Sequence, residues 1–487
     1  MQEKTLEDFL RHMVGQVYGV FDRRAPITGL CFDSRKVQEG NIFFALKGTK
    51  RDGHRFVSEA ILRGACLIVS ERKLSGDHPS LLVENTQVAL AQAAAWFYGY
   101  PTDRLYTVGI TGTNGKTTTA FLLRAMLEFA GFPTALLSTV EYRLPTSVQV
   151  ATHTTPDAIA IQRLAYRSLQ EGAECFVMEV SSHSIDQNRV EGVDFDGAIF
   201  TNLSGDHLDY HKSMEGYFRC KNRLFQKLRS GAYAILNADF ILYSRQRRCI
   251  RVPVFSYGLR SSFSDFRASH IQLGLGGSQF LLSTPKENVH IRTNLIGYHN
   301  VQNILAAVAC AWQRGVSMRY IQGAIENFSG VPGRLQVVPH RGDFYIFVDY
   351  AHSDDSLRKV LSCLYRLKRR RIITVFGCGG DRDATKRPRM GRVASQYSDL
   401  VILTSDNPRG EDPLSIIRDI QMGIWGKRYL VEVNRQEAIG KAISLARSGD
   451  IVLIAGKGHE NYQEVQGRKI WFDDFQIALE LTRSKAA

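Results

Sequence analysis

The chain has 487 residues, 44% hydrophobic and 23% charged, enough for two to four globular cores and unlike a disordered or low-complexity protein. Its formal charge of +14 favours anionic partners such as phosphates and carboxylates. No apolar run approaches the roughly 20 residues of a membrane helix, Met1-Gln2-Glu3-Lys4 lacks a secretory layout, and eight cysteines without CxxC spacing argue against a disulfide framework or zinc site and for a reduced cytosol.

In chain order, short apolar runs at Ile42 to Leu46, Leu67 to Ser70 and Leu81 to Glu84 alternate with helical stretches such as Val88 to Tyr98. They predict a small α/β domain over residues 1–103, ending at the turn signal Pro101-Thr102-Asp103. From Leu105 the pattern becomes strand, glycine turn, helix: Leu105 to Ile110, then Thr117 to Ala130 stopped by Gly131. Further buried strands at Cys175 to Val180 and Ala198 to Leu203 predict a parallel, doubly wound sheet in a domain over 104–335. After Val331-Pro332-Gly333-Arg334, strands at Phe344 to Val348, Ile372 to Phe376, Leu400 to Thr404 and Ile451 to Ile454 predict a third, Rossmann-like α/β domain over 336–487. Ligands gather at the carboxyl ends of such strands. The basic runs Arg245-Gln246-Arg247-Arg248 and Lys368-Arg369-Arg370-Arg371 are expected as solvated surface, and no nucleic-acid motif accompanies them.

Thr111-Gly112-Thr113-Asn114-Gly115-Lys116-Thr117-Thr118 carries the strongest signal. Glycines let backbone N–H groups turn onto phosphate oxygens, and the following helix points its positive end at them. Lys116 is expected at the β/γ-phosphates and the Thr117 hydroxyl on Mg2+. The spacing departs from GxxxxGK[ST], because position 110 is Ile and the glycines stand at 112 and 115. The loop alone implies a nucleotide and leaves the reaction open. It is compatible with a nucleotide-gated binding or switch protein as well as with an enzyme.

This shortened loop resembles that of the Mur ligase and folylpolyglutamate synthetase group, and further blocks occur in the family's order: Thr154-Thr155-Pro156; Glu179-Val180-Ser181-Ser182-His183 with Gln187 and Arg189; Asn202 to His211 with Lys221; His299 to Asn303; Gly333-Arg334; Asp349-Tyr350-Ala351-His352; Gly379 to Asp383; Asp406-Asn407-Pro408-Arg409; and Gly456-Lys457-Gly458-His459-Glu460. The likeness runs from Asp33-Ser34-Arg35 to the C-terminal helix and is nearest to the Mur ligases that add the third residue of the cell-wall peptide stem.

The resemblance implies a cytoplasmic, monomeric, ATP-dependent amide ligase that neither binds nucleic acid nor inserts into a membrane. Its substrates would be ATP, UDP-MurNAc-L-Ala-D-Glu and an amino acid, joined through an acyl phosphate. It places Gly112, Thr113, Asn114, Gly115, Lys116, Thr117, Thr118, Asn303, Arg334 and Asp349 at ATP. Lys116, Glu179, His207 and Lys221 become catalytic, and Thr117, Glu179, His207 and Lys221 (as a carbamate) hold Mg2+. Carbamylation needs a neutral amine, so the pocket would have to lower a lysine pKa that starts near ~10.4 in water. Ser34, Lys50, Arg51, Asp52, Thr154, Thr155, Ser181, Gln187 and Arg189 are expected at the UDP-muramoyl dipeptide. Arg382, Asp406, Asn407, Pro408, Arg409, Gly456 and Glu460 are expected at the amino acid. The tetrapeptide ending in Arg409 matches the meso-diaminopimelate pattern, since a guanidinium clamps the extra distal carboxylate bidentately. The same reaction with L-lysine, or another ligase of the group, stands as the alternative.

Overall fold

The computed structural model describes residues 4–48, 51–205, 208–426 and 428–484. It forms two compact units, one of residues 1–267 and 305–324, the other of residues 268–304 and 325–487.

The first unit contains two α/β layers. A five-stranded sheet has the order Gln16–Tyr18, Ser80–Leu82, Leu67–Ser70, Asn41–Phe44 and Gly29–Cys31, antiparallel only at its first pair. Apolar side chains are buried on both faces: Ile42 and Phe44 join one cluster, Phe43 and Ala45 the other. In the larger sheet, six strands run parallel in the order Val254–Gly258, Leu228–Asn237, Phe195–Phe200, Tyr106–Thr111, Cys175–Glu179 and Thr134–Leu137. Two antiparallel strands, Glu141–Arg143 and Val148–Val150, extend this edge. The parallel sheet expected from the sequence is present, and these two antiparallel strands are an addition at its edge. These strands are three residues long, and Val148–Val150 is fully exposed, so neither carries the apolar run that marks a buried parallel strand.

The second unit holds a six-stranded sheet ordered Gln336–Val337, Tyr345–Asp349, Ile451–Ala455, Ile372–Phe376, Leu400–Leu403 and Tyr429–Val431. All pairs but the first are parallel. Successive side chains of a strand point to opposite faces. Accordingly Ile451, Leu453 and Ala455 enter one core with Ile372 and Phe376, while Val452 and Ile454 enter the other with Ile373 and Val375. Burial on both faces explains why these strands are continuous apolar runs. The helix Asp354–Leu367 covers one face with Leu357, Val360, Leu361 and Leu364, the i, i+3, i+4, i+7 stripe, and Ser353 starts it with a capping box. The three α/β layers match the fold class expected from the alternating pattern. Among the described residues, no helix is long and apolar enough to cross a membrane.

Candidate active site

In the first unit, three neighbouring parallel strands end together: Glu179 is level with Ile110, and Phe200 with Thr111. Residues just past these ends therefore converge at one sheet edge. Gly112 has φ 148°, and a Cβ there would lie 1.9 Å from Thr201 Oγ1, so the loop passes where only glycine fits. Asn202 fixes the loop, its carbonyl accepting from Thr113 N (2.8 Å) and its Oδ1 from Asn114 N (3.0 Å). Thr201 Oγ1 donates to the Asn114 carbonyl at 2.6 Å. Gly115, at φ 85°, caps the helix Lys116–Phe129, whose first turn buries Thr117 and Thr118.

Two lysines meet at this loop. Lys116 Nζ donates to the carbonyls of Gly112 and Thr113, each at 3.0 Å. Lys221 Nζ donates to the same Gly112 carbonyl at 2.9 Å and lies over the Tyr217 ring. Lys221 is 1% exposed and is therefore not an ordinary surface lysine. Its helix, which the sequence pattern predicts over Met214 to Leu228, ends at Asn222, and a 3₁₀ turn over Arg223–Lys227 replaces the last part, tightening to bury Leu224 and Phe225.

Glu179 is fully buried rather than a solvated turn carboxylate. Its Oε1 accepts from Thr139 N (2.7 Å) and its Oε2 from Thr139 Oγ1 (3.2 Å). Thr139 Oγ1 also lies within hydrogen-bond distance of Thr154 Oγ1 (3.1 Å), and Thr155 Oγ1 donates to the Glu179 carbonyl at 2.9 Å. Ser181 receives Thr155 Oγ1 at 3.3 Å and caps the helix Ser182–Asp186. Arg189 ties the group together, donating to the Thr155 carbonyl (2.8 Å) and twice to Gln187 Oε1 (3.1 and 2.6 Å). Burial lowers the Arg189 pKa from its ordinary value. Thr154, Thr155, Glu179, Ser181, Gln187 and Arg189 thus form one connected network. Lys50 and His207 lie outside the described residues.

In the five-stranded layer, Ser34 is buried and donates to Glu59 Oε2 at 2.7 Å. Asp52 accepts from His54 N at 3.0 Å and pairs with His54 Nδ1 at 2.6 Å, contacts that hold its carboxyl below the usual range. Arg51 is exposed, and its carbonyl accepts from Gly48 N at 3.0 Å.

The second unit carries the remaining candidates. Asn303 Nδ2 donates to Asn300 Oδ1 (3.1 Å), and Asn300 Nδ2 donates to the Ile296 carbonyl (2.9 Å). Asp349 accepts from Leu335 N (2.7 Å) and Ala351 N (2.8 Å); burial pushes its carboxyl up, with Arg334 opposing. The Arg334 guanidinium lies over the Tyr350 ring at 4.7 Å. Gly333 packs so tightly on the next loop that a Cβ would be 2.2 Å from His459 N, and one on Gly458 would be 2.6 Å from Tyr350 Cβ.

Around Asn407 four charged side chains interlock. Asn407 Oδ1 accepts from Lys457 Nζ (3.1 Å) and Glu464 N (2.9 Å), and Nδ2 donates to Glu460 Oε2 (2.9 Å). Lys457, fully buried, also reaches Glu460 Oε2 at 3.2 Å. Arg409 donates from Nε to Glu464 Oε2 (3.0 Å) and from Nη1 to the Gly380 carbonyl (2.8 Å). Asp406 Oδ1 accepts from Asn407 N at 2.7 Å, and a Cβ on Gly456 would lie 2.6 Å from Asp406 Oδ2. The Pro408 carbonyl accepts from Glu411 N at 3.0 Å. Arg382 is exposed on the neighbouring loop and stands outside the interlocked set. Asp406 to Arg409 is not a plain exposed turn, because Asn407 is 3% exposed and Arg409 is held on two sides. Among the described residues, no three His, Cys, Asp or Glu side chains cluster as a metal site.

Several supporting residues carry no sequence expectation. Thr139 follows a strand end and Asn202 lies inside a quoted block, which is the signal that could have marked them, whereas Lys457 and Glu464 take their roles from partners distant in the chain. Arg435 and Asp474 form a fully buried ion pair at 2.7 Å, and Arg435 also donates to the Ala455 carbonyl at 2.9 Å, just before Gly456.

Comparison with known proteins falls on this same geometry. Three family models match: the Mur ligase middle domain over residues 110–311, the Mur ligase glutamate ligase domain over 333–458, and the Mur ligase family catalytic domain over 26–98. The chain belongs to the Mur ligase family. Among its Mur ligase relatives is the UDP-N-acetylmuramoyl-L-alanyl-D-glutamate–2,6-diaminopimelate ligase of Geobacillus kaustophilus, 44% identical, covering 93% of this chain and 94% of that one. The ligase of the same name from Syntrophomonas wolfei is 43% identical over 96% of each. A solved structure bearing that ligase name superposes with a TM-score of 0.72 at 32% identity, covering 100% of both chains.

Proposed function

We propose that this Mur ligase joins meso-diaminopimelate to the D-glutamate carboxylate of UDP-MurNAc-L-Ala-D-Glu, with ATP converted to ADP and phosphate, as its full-length relatives are named to do. The observation that carries the reading is the convergence of Lys116 and Lys221 on the Gly112 carbonyl of the phosphate loop. An anionic carboxylate must approach an anionic γ-phosphate, and the Lys116 ammonium at the loop offsets part of that repulsion, while Lys221 is placed at the same loop to carry the metal-binding carbamate of this reading. The carboxylate oxygen attacks the γ-phosphorus, the β–γ oxygen bond breaks, and ADP leaves. The amine of the incoming amino acid then attacks the acyl carbon of the acyl phosphate, and phosphate departs with the C–O bond.

Within this reading Gly112 to Thr118, Asn303, Arg334 and Asp349 serve ATP. Ser34, Lys50 to Asp52 and the Thr154, Thr155, Ser181, Gln187 and Arg189 network serve the UDP substrate. Arg382, Asp406 to Arg409, Gly456 and Glu460 serve the amino acid. Glu179 offers two buried oxygens that keep lone pairs beyond their bonds to Thr139. With the Thr117 hydroxyl it forms the hard-oxygen donor set that suits Mg2+, joined in this reading by His207 and a carbamate on Lys221. Mg2+ at these residues would supply further neutralisation of phosphate charge. A carbamate leaves one N–H on Lys221 Nζ, enough for its bond to Gly112. We place the work in the cytoplasm, by a monomer without nucleic-acid or membrane partners, in domains over 1–103, 104–335 and 336–487.

The test is phosphate release with UDP-MurNAc-L-Ala-D-Glu, ATP and Mg2+, comparing meso-diaminopimelate with L-lysine. Turnover with diaminopimelate and little with lysine is expected. Turnover with lysine instead would keep the ligase and overturn the amino-acid assignment, and turnover with neither would overturn both. Intact mass of fresh protein should show one added CO2; an unmodified mass would remove the carbamate.

A further inference from the structure

The hairpin of strands Tyr462–Val465 and Arg468–Trp471 stands apart from the six-stranded sheet, yet it grips Arg409 at three points. Arg409 N donates to the Glu464 carbonyl (3.0 Å), Gln466 N donates to the Arg409 carbonyl (2.7 Å), and Arg409 Nε donates to Glu464 Oε2 (3.0 Å). Arg409 sits at φ 53°, a left-handed conformation that costs a non-glycine residue about 1–2 kcal/mol and needs such holding.

The chemistry of the grip is directional. A guanidinium has five N–H groups in a rigid fork. Glu464 occupies Nε and the Gly380 carbonyl occupies one hydrogen of Nη1, while Nη2 makes no hydrogen bond among the described residues. Among the described residues, both Nη2 hydrogens and the second Nη1 hydrogen are thereby left for a further acceptor. Glu464 is itself anchored through its backbone N–H to Asn407 Oδ1 (2.9 Å), the atom that also receives Lys457. Lys457, Glu460, Arg409 and Glu464 alternate in sign and sum to zero, a setting matched to a group that carries both an ammonium and a carboxylate.

We propose that Glu464 is a positioning residue for amino-acid selection, aiming the Arg409 fork at the substrate's distal carboxylate without touching the substrate. The inference rests on the proposed diaminopimelate reading. Loss of the Glu464 carboxylate lets the guanidinium rotate towards the Gly380 carbonyl and removes its counter-charge, so the distal carboxylate loses a bidentate partner.

The experiment measures separate KM values for meso-diaminopimelate, ATP and UDP-MurNAc-L-Ala-D-Glu in wild type, Glu464→Ala, Glu464→Gln and Glu464→Asp, with melting temperatures. Glu464→Ala should raise the diaminopimelate KM about 10- to 100-fold, the range of one charge-assisted hydrogen bond. The other two KM values should move little, and kcat should fall far less than kcat/KM. Glu464→Gln, which keeps an acceptor for Nε, should fall between, and Glu464→Asp should rescue in part. A diaminopimelate KM unchanged in Glu464→Ala, or all three KM values rising together with a lowered melting temperature in both Glu464→Ala and Glu464→Gln, would overturn the positioning role. A wild type that does not use diaminopimelate would instead overturn the underlying reading.

Discussion

Gly112 leaves no room for a methyl group, since a Cβ would stand 1.9 Å from Thr201 Oγ1 and 3.0 Å from Asn202 N. Both neighbours are committed, Thr201 to the Asn114 carbonyl and Asn202 to the loop amides. Relief must therefore come from the phosphate loop itself. Gly112→Ala should cost about 1–3 kcal/mol of stability, the usual range for overpacking, and displace the carbonyl that receives Lys116 and Lys221. Titration calorimetry with ATP should show binding weakened well beyond that stability loss, and affinity equal to wild type would refute the account. At this scale the loop was legible because a glycine–lysine–threonine run after an apolar strand has one common use. Lys457 and Glu464 were not, because their meaning depends on Asn407 and Arg409, partners far away in the chain.

Strands showed more plainly than helix ends. Ile372–Phe376 was readable to the residue because four of its five side chains are apolar and feed two cores. The Lys221 helix was overextended because a 3₁₀ turn buries apolar residues much as a continued helix would. Two helices of the second unit, Arg435–Leu445 and Asp474–Ser484, are joined by the Arg435–Asp474 pair, which no local pattern announces. Asp474→Asn removes the counter-charge of a wholly buried guanidinium and should cost about 3–5 kcal/mol, the range for breaking a buried pair. Because Arg435 also holds the Ala455 carbonyl, the diaminopimelate KM should rise too. Denaturant unfolding with parallel kinetics checks both, and a loss below about 1 kcal/mol would contradict the role given to the pair.

Over the whole molecule, the charge of +14 climbs as pH falls and the 48 carboxylates protonate, so self-repulsion grows in acid. One group ties this to the fold. Burial would raise the Asp450 carboxyl, but hydrogen bonds from the Arg371 side chain and from Arg447 and Arg371 N–H outweigh it and hold it below the ordinary carboxylate range. Its contribution is therefore present above the unfolded value near ~3.9 and lost as pH falls through the lower folded value. Arg371→Ala should cost about 1–3 kcal/mol at pH 7, with a smaller difference from wild type at pH 3 than at pH 7. Melting curves across that range decide it, and a constant difference would count against the linkage. Arg371 belongs to a basic run expected as plain solvated surface, and only the folded chain, by bringing Asp450 beside it, separates Arg371 from the exposed Arg369 and Arg370.

The contact between Gly333 and the Gly458–His459 backbone restricts how descendants of this chain can drift. Neither glycine can acquire a side chain alone without prising apart the loop that carries Arg334 and the loop that carries Lys457 and Glu460. These two loops, which the proposed reading gives to the nucleotide and to the amino acid, must therefore evolve as a matched pair, and a graft of either one from a distant relative should fail unless the other comes with it.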